Sequence, residues 1–310
     1  MEQLIINDEL LGYLEQEFET SALNRLPEKF GGGKIFSHPL IGVARGSDPI
    51  FQKFKETVGS EHLTPLEMWM TSGQEELPAA ELYTISIVCP FVEKIRKESI
   101  NPIELPKVTL PAEIYSVARN YAKDFKNHMM RQIVDFFKNK GYHAISGKFS
   151  DAYTIIAKKE FYSTWSERHI AFAAGLGTFS LQEGLITDVG CNMRLASVIT
   201  NAPLKVTPRK SDEPYANCLY YAKGTCKECA RKCPANAITE NGHDKTKCNK
   251  YKTKIARKIV KRLSPTLKSY SHRINWKFKA YNYPVGCEIC QFGVQCTDKN
   301  PMISHHLDLD

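Results

Sequence analysis

Eight of the chain's ten cysteines fall between Cys218 and Cys296, and no other feature limits so strongly what the 310-residue chain can fold into. The stretch "GTCKECARKCPANAIT" alone, residues 224–239, carries three of them and a proline. Thiols at that density left unpaired would be an oxidation liability, so they imply either disulfides or bound metal. The opening "MEQLIINDELLGYLEQEFET" is acidic and lacks a basic region followed by an apolar run and a small-residue cleavage site. It predicts a cytoplasmic location, where disulfides are disfavoured and metal ligation is the expected use of the cysteines.

The spacing narrows the metal. Cys226 and Cys229 are followed by Cys233 and then Pro234, with Cys218 upstream. This resembles the ferredoxin run C-x2-C-x2-C-x3-C-P, with the first thiol moved away by a seven-residue spacer; there, the cysteine before proline ligates the second cluster. A second set is present in Cys248, Cys287, Cys290 and Cys296, which makes eight donors for two [4Fe-4S] clusters. By the crossed pairing of two-cluster ferredoxins, Cys218, Cys226, Cys229 and Cys296 hold one cluster, and Cys233, Cys248, Cys287 and Cys290 the other. Zinc is the alternative, because Cys226/Cys229 and Cys287/Cys290 could each contribute to a tetrahedral thiolate site.

Upstream of a boundary near Pro208 the pattern changes. Short β-branched runs at 83–89, 152–157 and 194–200 read as strands. Phe125, Met129, Ile133 and Phe136 or Phe137 recur at helical spacing, with Gly141 placed to end that helix in a left-handed conformation. Downstream, Ile255, Ile259 and Leu263 line one side of another helix. The stretch from Lys245 to Cys287 carries thirteen Lys or Arg and no Asp or Glu, a solvated basic face or a docking surface for an acidic electron donor or nucleic acid. Apolar runs are too short to cross a bilayer, so no membrane association is expected. His305 and His306, beside the acidic end of the chain, read as part of a terminal tail.

The order of these cysteines, with "CPANAI", "DKTKCNKY" and "GCEICQ" around them, resembles epoxyqueuosine reductases and reductive dehalogenases. The segment "AAGLGTFSLQEGLITDVGCNMRLASVITNAPL", 173–204, is similar to the cobalamin-cradling region of both groups. The resemblance implies an α+β fold, with a nitroreductase-like cobalamin- and substrate-binding domain over residues 1–207 and a ferredoxin-like iron–sulfur domain over residues 208–310. It implies a cobalamin-dependent reductase that cleaves a C–O or C–halogen bond. A low-potential donor, ferredoxin or flavodoxin, would feed electrons through two [4Fe-4S] clusters to a base-off cobalamin.

Several residue roles follow from that likeness. Gly175 and Gly177 would let the backbone approach the corrin, Arg194 would pair with a corrin carboxamide or the phosphate, and Cys89 would face the cofactor. Asp124, in "VARNYAKDFKNH", would donate the proton, although it also reads as the N-cap of the helix that follows. Cys296 is followed by Thr297 where epoxyqueuosine reductases usually have Pro-Trp, so a small-molecule substrate is expected ahead of tRNA and a role in queuosine biosynthesis. The alternative in another class is a two-cluster ferredoxin-type electron carrier without corrinoid catalysis.

Overall fold

The computed structural model describes residues 2–157, 161–274 and 277–303; His305 and His306 lie outside them. The fold is mixed α/β. Its centre is a four-stranded antiparallel sheet in the order Leu40–Arg45, Tyr83–Pro90, Met193–Thr200, Ala144–Ile145. All eight residues of the central strand Tyr83–Pro90 are buried, so both faces of the sheet are covered. Successive side chains on a strand point to opposite faces, and two apolar cores result. Ile85, Ile87, Cys89, Ala196 and Val198 belong to one; Val88, Leu195 and Ile199 belong to the other.

The first core is closed by a helix spanning Glu113–Asn139, ended as expected near Gly141 at φ 83°. It begins eleven residues before Asp124, which therefore lies within the helix and does not cap it. The sequence pattern centred on Phe125 missed this extension, which Ile114, Tyr115, Val117, Ala118 and Ala122 hold by burial in the same core. The second core is closed by the short helix Glu167–Ala173 with Trp69, Trp165 and Phe51.

The basic helix, Lys245–Leu263, starts after Asp244, whose side chain accepts from the Lys247 N–H, and buries Ile255, Ile259 and Leu263 in the first core. Tyr251 locks it in place, its hydroxyl accepting from the Thr109 N–H at 2.8 Å and donating to the Thr109 carbonyl at 2.9 Å. The hairpin that follows, Tyr270–Ile274 and Lys277–Asn282, extends a sheet begun by Ile155–Ala157 and Phe161–Ser163, with Ile274 beside Ile155. Backbone from both sides of Pro208 thus shares a core and a sheet. Among the described residues no helix is long and apolar enough to cross a membrane.

Candidate iron–sulfur and substrate site

A third core differs from the other two in kind. Its buried members include Cys191, Cys218, Cys229 and Cys233 with Leu181, Ile186, Ala237 and Ile238, and Cys248, Cys290 and Cys296 pack against them. Local structure distributes the thiols. Cys229 sits in the helix Glu228–Lys232, and Cys233 leaves that helix at φ −72°, ψ 108° because the residue before a proline is excluded from helical geometry. The Ala237 N–H donates to the Cys233 sulfur at 3.3 Å.

Mutual electrostatics sort the thiols into two groups. Burial, and then Cys296, Cys218 and Cys226, push Cys229 up to about 12. Burial, and then Cys248 and Cys233, push Cys287 up to about 12. Cys290 is driven well above the usual thiol range by burial and by Cys287, Cys233, Cys229 and Cys248. Such thiols stay protonated unless a metal takes the proton's place. Among the described residues no three His, Cys, Asp or Glu side chains converge as one metal ion requires. The eight thiols match in number and type the donors of two [4Fe-4S] clusters.

Cys191 is a ninth thiol here, and the cysteine pattern gave no sign of it. Its Sγ lies 3.8 Å from Cys296 Sγ. The pair is asymmetric: the hydrogen bond with Cys296 is the main reason Cys191 is pushed well up, and the one with Cys191 is the main reason Cys296 is held down. Either sulfur can donate the S–H in this contact. The backbones are joined as well, with the Cys191 N–H donating to the Cys296 carbonyl at 2.8 Å and Asn192 N–H to the Thr297 carbonyl at 3.1 Å.

The Cys287–Cys290 loop is bolted to the central sheet by charge. Glu288 adopts φ 51°, a left-handed conformation costing an ordinary residue roughly 1–2 kcal/mol. Its carboxylate takes Arg119 of the long helix in an ion pair and accepts from Arg194 of the sheet at 2.9 Å. The buried Tyr115 hydroxyl accepts from Arg119 at 3.1 Å and from Arg194 at 3.0 Å. Arg194, expected at a corrin, is thus committed to Glu288 and Tyr115.

Two cavities flank this assembly and share Arg168. The larger, about 860 Å³, is walled by Phe54, Phe172, Phe179, Tyr153 and His169, and reaches Lys245 at the start of the basic helix. The smaller, about 250 Å³, is lined by Lys126, Glu167, Arg168, Cys191 and Arg194 with apolar neighbours. Gly175 and Gly177 line a minor recess that borders the larger cavity at Phe172 and Arg209. A Cβ on Gly175, at φ 75°, would stand 2.8 Å from the Pro208 carbonyl oxygen, and one on Gly177 would strike the Ile186 carbonyl, so protein backbone already requires both glycines. Cys89 is sealed in the first core, where burial pushes it up to about 12. Asp124 lines neither cavity; its carboxylate pairs with Lys268 at 2.7 Å.

No protein-family model matches the chain. A segment of 74 residues is 45% identical to the tetrachloroethene reductive dehalogenase of Sulfurospirillum multivorans, covering 23% of this chain and 14% of that enzyme. Similar solved structures include the epoxyqueuosine reductase of Streptococcus thermophilus, at 14% identity over 96% of this chain and 68% of that one, TM-score 0.48. Another is a selenomethionine-labelled epoxyqueuosine reductase, at 15% identity over 96% of this chain and 70% of that one, TM-score 0.45. A B12-dependent reductive dehalogenase aligns at 19% identity over 69% of this chain and 27% of its own, TM-score 0.43.

Proposed function

We infer that the chain is an iron–sulfur reductase that uses a corrinoid to cleave a C–O or C–halogen bond in a small molecule. The observation that carries this reading is the gathering of Cys218, Cys229, Cys233, Cys248, Cys290 and Cys296 in one buried cluster, with a cavity of about 860 Å³ reaching Lys245, three residues from Cys248. Cys218, Cys226, Cys229 and Cys296 would hold one [4Fe-4S] cluster, and Cys233, Cys248, Cys287 and Cys290 the other, relaying single electrons. A bound cobalamin would supply the strongly reducing centre. Arg168, His169, Phe179 and Tyr153 would hold it in the larger cavity, whose volume suits a bulky ligand.

The net change is R–X plus two electrons and a proton giving R–H and X⁻. Asp124 is the proposed proton donor, which requires its carboxyl to exchange Lys268 for the substrate. Electrons would come from a low-potential acidic donor docked on the basic helix. A nitroreductase-like unit ending near Pro208 and a ferredoxin-like unit after it remain the proposed domains.

Anoxic purification followed by iron, zinc and corrinoid assay tests the reading. It expects about eight irons per chain and near-equimolar retention of added hydroxocobalamin. Full iron without corrinoid would leave an electron carrier, and zinc in a colourless protein would overturn both.

A further inference from the structure

The smaller cavity has a charge and a shape that the reductase reading leaves without a use. Lys126 enters it from the long helix, Arg168 from the short helix and Arg194 from the central sheet. Glu167 is the acidic group among them. Its Oε2 is closed off from solvent and has no hydrogen-bond partner, although buried carboxylate oxygens are ordinarily satisfied. Leu185, Met193 and Leu195, all nearly fully buried, complete the wall. Arg194 shares the Glu288 carboxylate with Arg119, so the wall sets three cationic side chains, Lys126, Arg168 and Arg194, against the carboxyl of Glu167.

We propose that this cavity is a binding site for a small monocarboxylate with an apolar body, and that it receives the anionic group of the substrate. The volume of about 250 Å³ equals that of about eight liquid waters at roughly 30 Å³ each, enough for one small organic acid and too little for a nucleotide. Three cationic side chains against Glu167, with the Glu288 carboxylate shared between Arg194 and Arg119, leave the wall net positive, which suits an anion. Burial drives the Glu167 carboxyl upward towards the protonated form, against the pull of Lys126, Ser197 and Lys148, and the same burial drives the Lys126 ammonium downward. In that form Oε2–H could donate to the bound carboxylate, and Lys126 and Arg168 would add charge-assisted hydrogen bonds. The apolar body would lie against Leu185, Met193 and Leu195. The assignment of the ligand as substrate rests on the reductase reading; the binding site does not.

The test is calorimetric titration of the anoxically purified full chain with benzoate and with its uncharged isostere benzamide, with corrinoid retention assayed on the same preparation. Benzoate should bind about tenfold or more tightly than benzamide, as expected where charge-assisted bonds replace neutral ones. Lys126→Met should erase most of that preference and Glu167→Gln, which keeps a donor, should retain it. Equal affinities, no binding of either compound, or an unchanged preference in Lys126→Met would overturn the proposal. The wild-type comparison of the two ligands decides the question even where a variant does not fold. Preference for benzoate without corrinoid retention would keep the site and remove the reductase; corrinoid retention without the preference would do the reverse.

Discussion

The apolar core beneath the central sheet and the thiol core beside it are built on opposite principles. The first buries Phe36, Phe91, Phe125, Phe137 and many aliphatic side chains, and burial at about 25 cal/mol per Å² stabilises it without help. The second buries few large side chains, chiefly Leu181, Ile186 and Ile238, around seven cysteines. Its chain is also short of regular structure, with helices of only five residues at Leu219–Lys223 and Glu228–Lys232. The difference teaches that the second region has little apolar burial of its own, so metal bound to its thiols would supply folding energy there, as in small metal-binding units.

The largest expected effect separates the two kinds of cysteine. Cys290→Ser should remove one cluster, lowering iron from about eight to about four per chain, and should raise hydrogen exchange across 218–248. Cys89→Ser buries a hydroxyl in the apolar core at a cost of about 1–3 kcal/mol, with iron unchanged. If Cys89→Ser lost iron and Cys290→Ser did not, the contrast between the cores would be wrong. Iron assay with exchange mass spectrometry reads both.

Next in size is the ionic link that fastens one region to the other. Glu288→Ala leaves the part-buried Arg119 and Arg194 facing each other without their shared carboxylate. Breaking such a pair by removing one member should cost about 3–5 kcal/mol, and urea unfolding would measure it. Glu288→Gln should recover part of the loss, because the amide oxygen still accepts from both guanidinium groups. An alanine variant as stable as wild type would mean that the link fastens nothing.

What the sequence revealed and what it hid divide along contact range. The break in the chain at Cys233 was legible because a pre-proline residue acts within a few positions of the chain. So were the strand at 83–90 and the helix through Ile255, Ile259 and Leu263, where side-chain period sets burial. The Glu288 link joins residues 169 and 94 positions apart, and the Cys191–Cys296 pair is separated by 105. No local pattern encodes such pairings. The glycines at 175 and 177 were legible as special, but the expected reason differs from the visible one: the backbone of Pro208 and Ile186 leaves no room for a side chain. The cationic cavity was invisible because Lys126, Arg168 and Arg194 are unremarkable within their own segments.

A smaller effect belongs to the second apolar core, and it is pH-dependent. His62 is fully buried; its Nε2 accepts from the Ser166 N–H at 3.1 Å, and its Nδ1 has no partner. Burial, helped by the charge of Lys55, lowers it from 6.5 to about 4. The folded state therefore binds fewer protons than the unfolded chain between those values. Its stability is complete above pH 6.5 and falls as the pH drops towards 4. At pH 5 the loss attributable to His62 should be about 2 kcal/mol, read as the difference in urea stability between wild type and His62→Gln at pH 7 and pH 5. Parallel losses in the two proteins would place the acid sensitivity elsewhere, with the thiol core the first place to look.

The smallest structural effect attaches to Asp124. Its ion pair with Lys268 leaves the lysine 42% exposed and the aspartate 28%, and pairs of that kind contribute about 0–1 kcal/mol. Asp124→Asn should therefore shift stability by less than about 1 kcal/mol while abolishing turnover in the corrinoid-loaded protein, because an amide has no proton to give at neutral pH. Lys268→Ala makes the complementary test: it removes the ion-pair partner of Asp124 and keeps the carboxyl, so turnover should persist. Cluster content and corrinoid retention should stay at wild-type levels in both, since neither residue belongs to the thiol core or lines either of the two cavities beside it. Turnover surviving in Asp124→Asn would release Asp124 from the chemistry and leave Glu167, already at the cavity wall, as the carboxyl to be tested next.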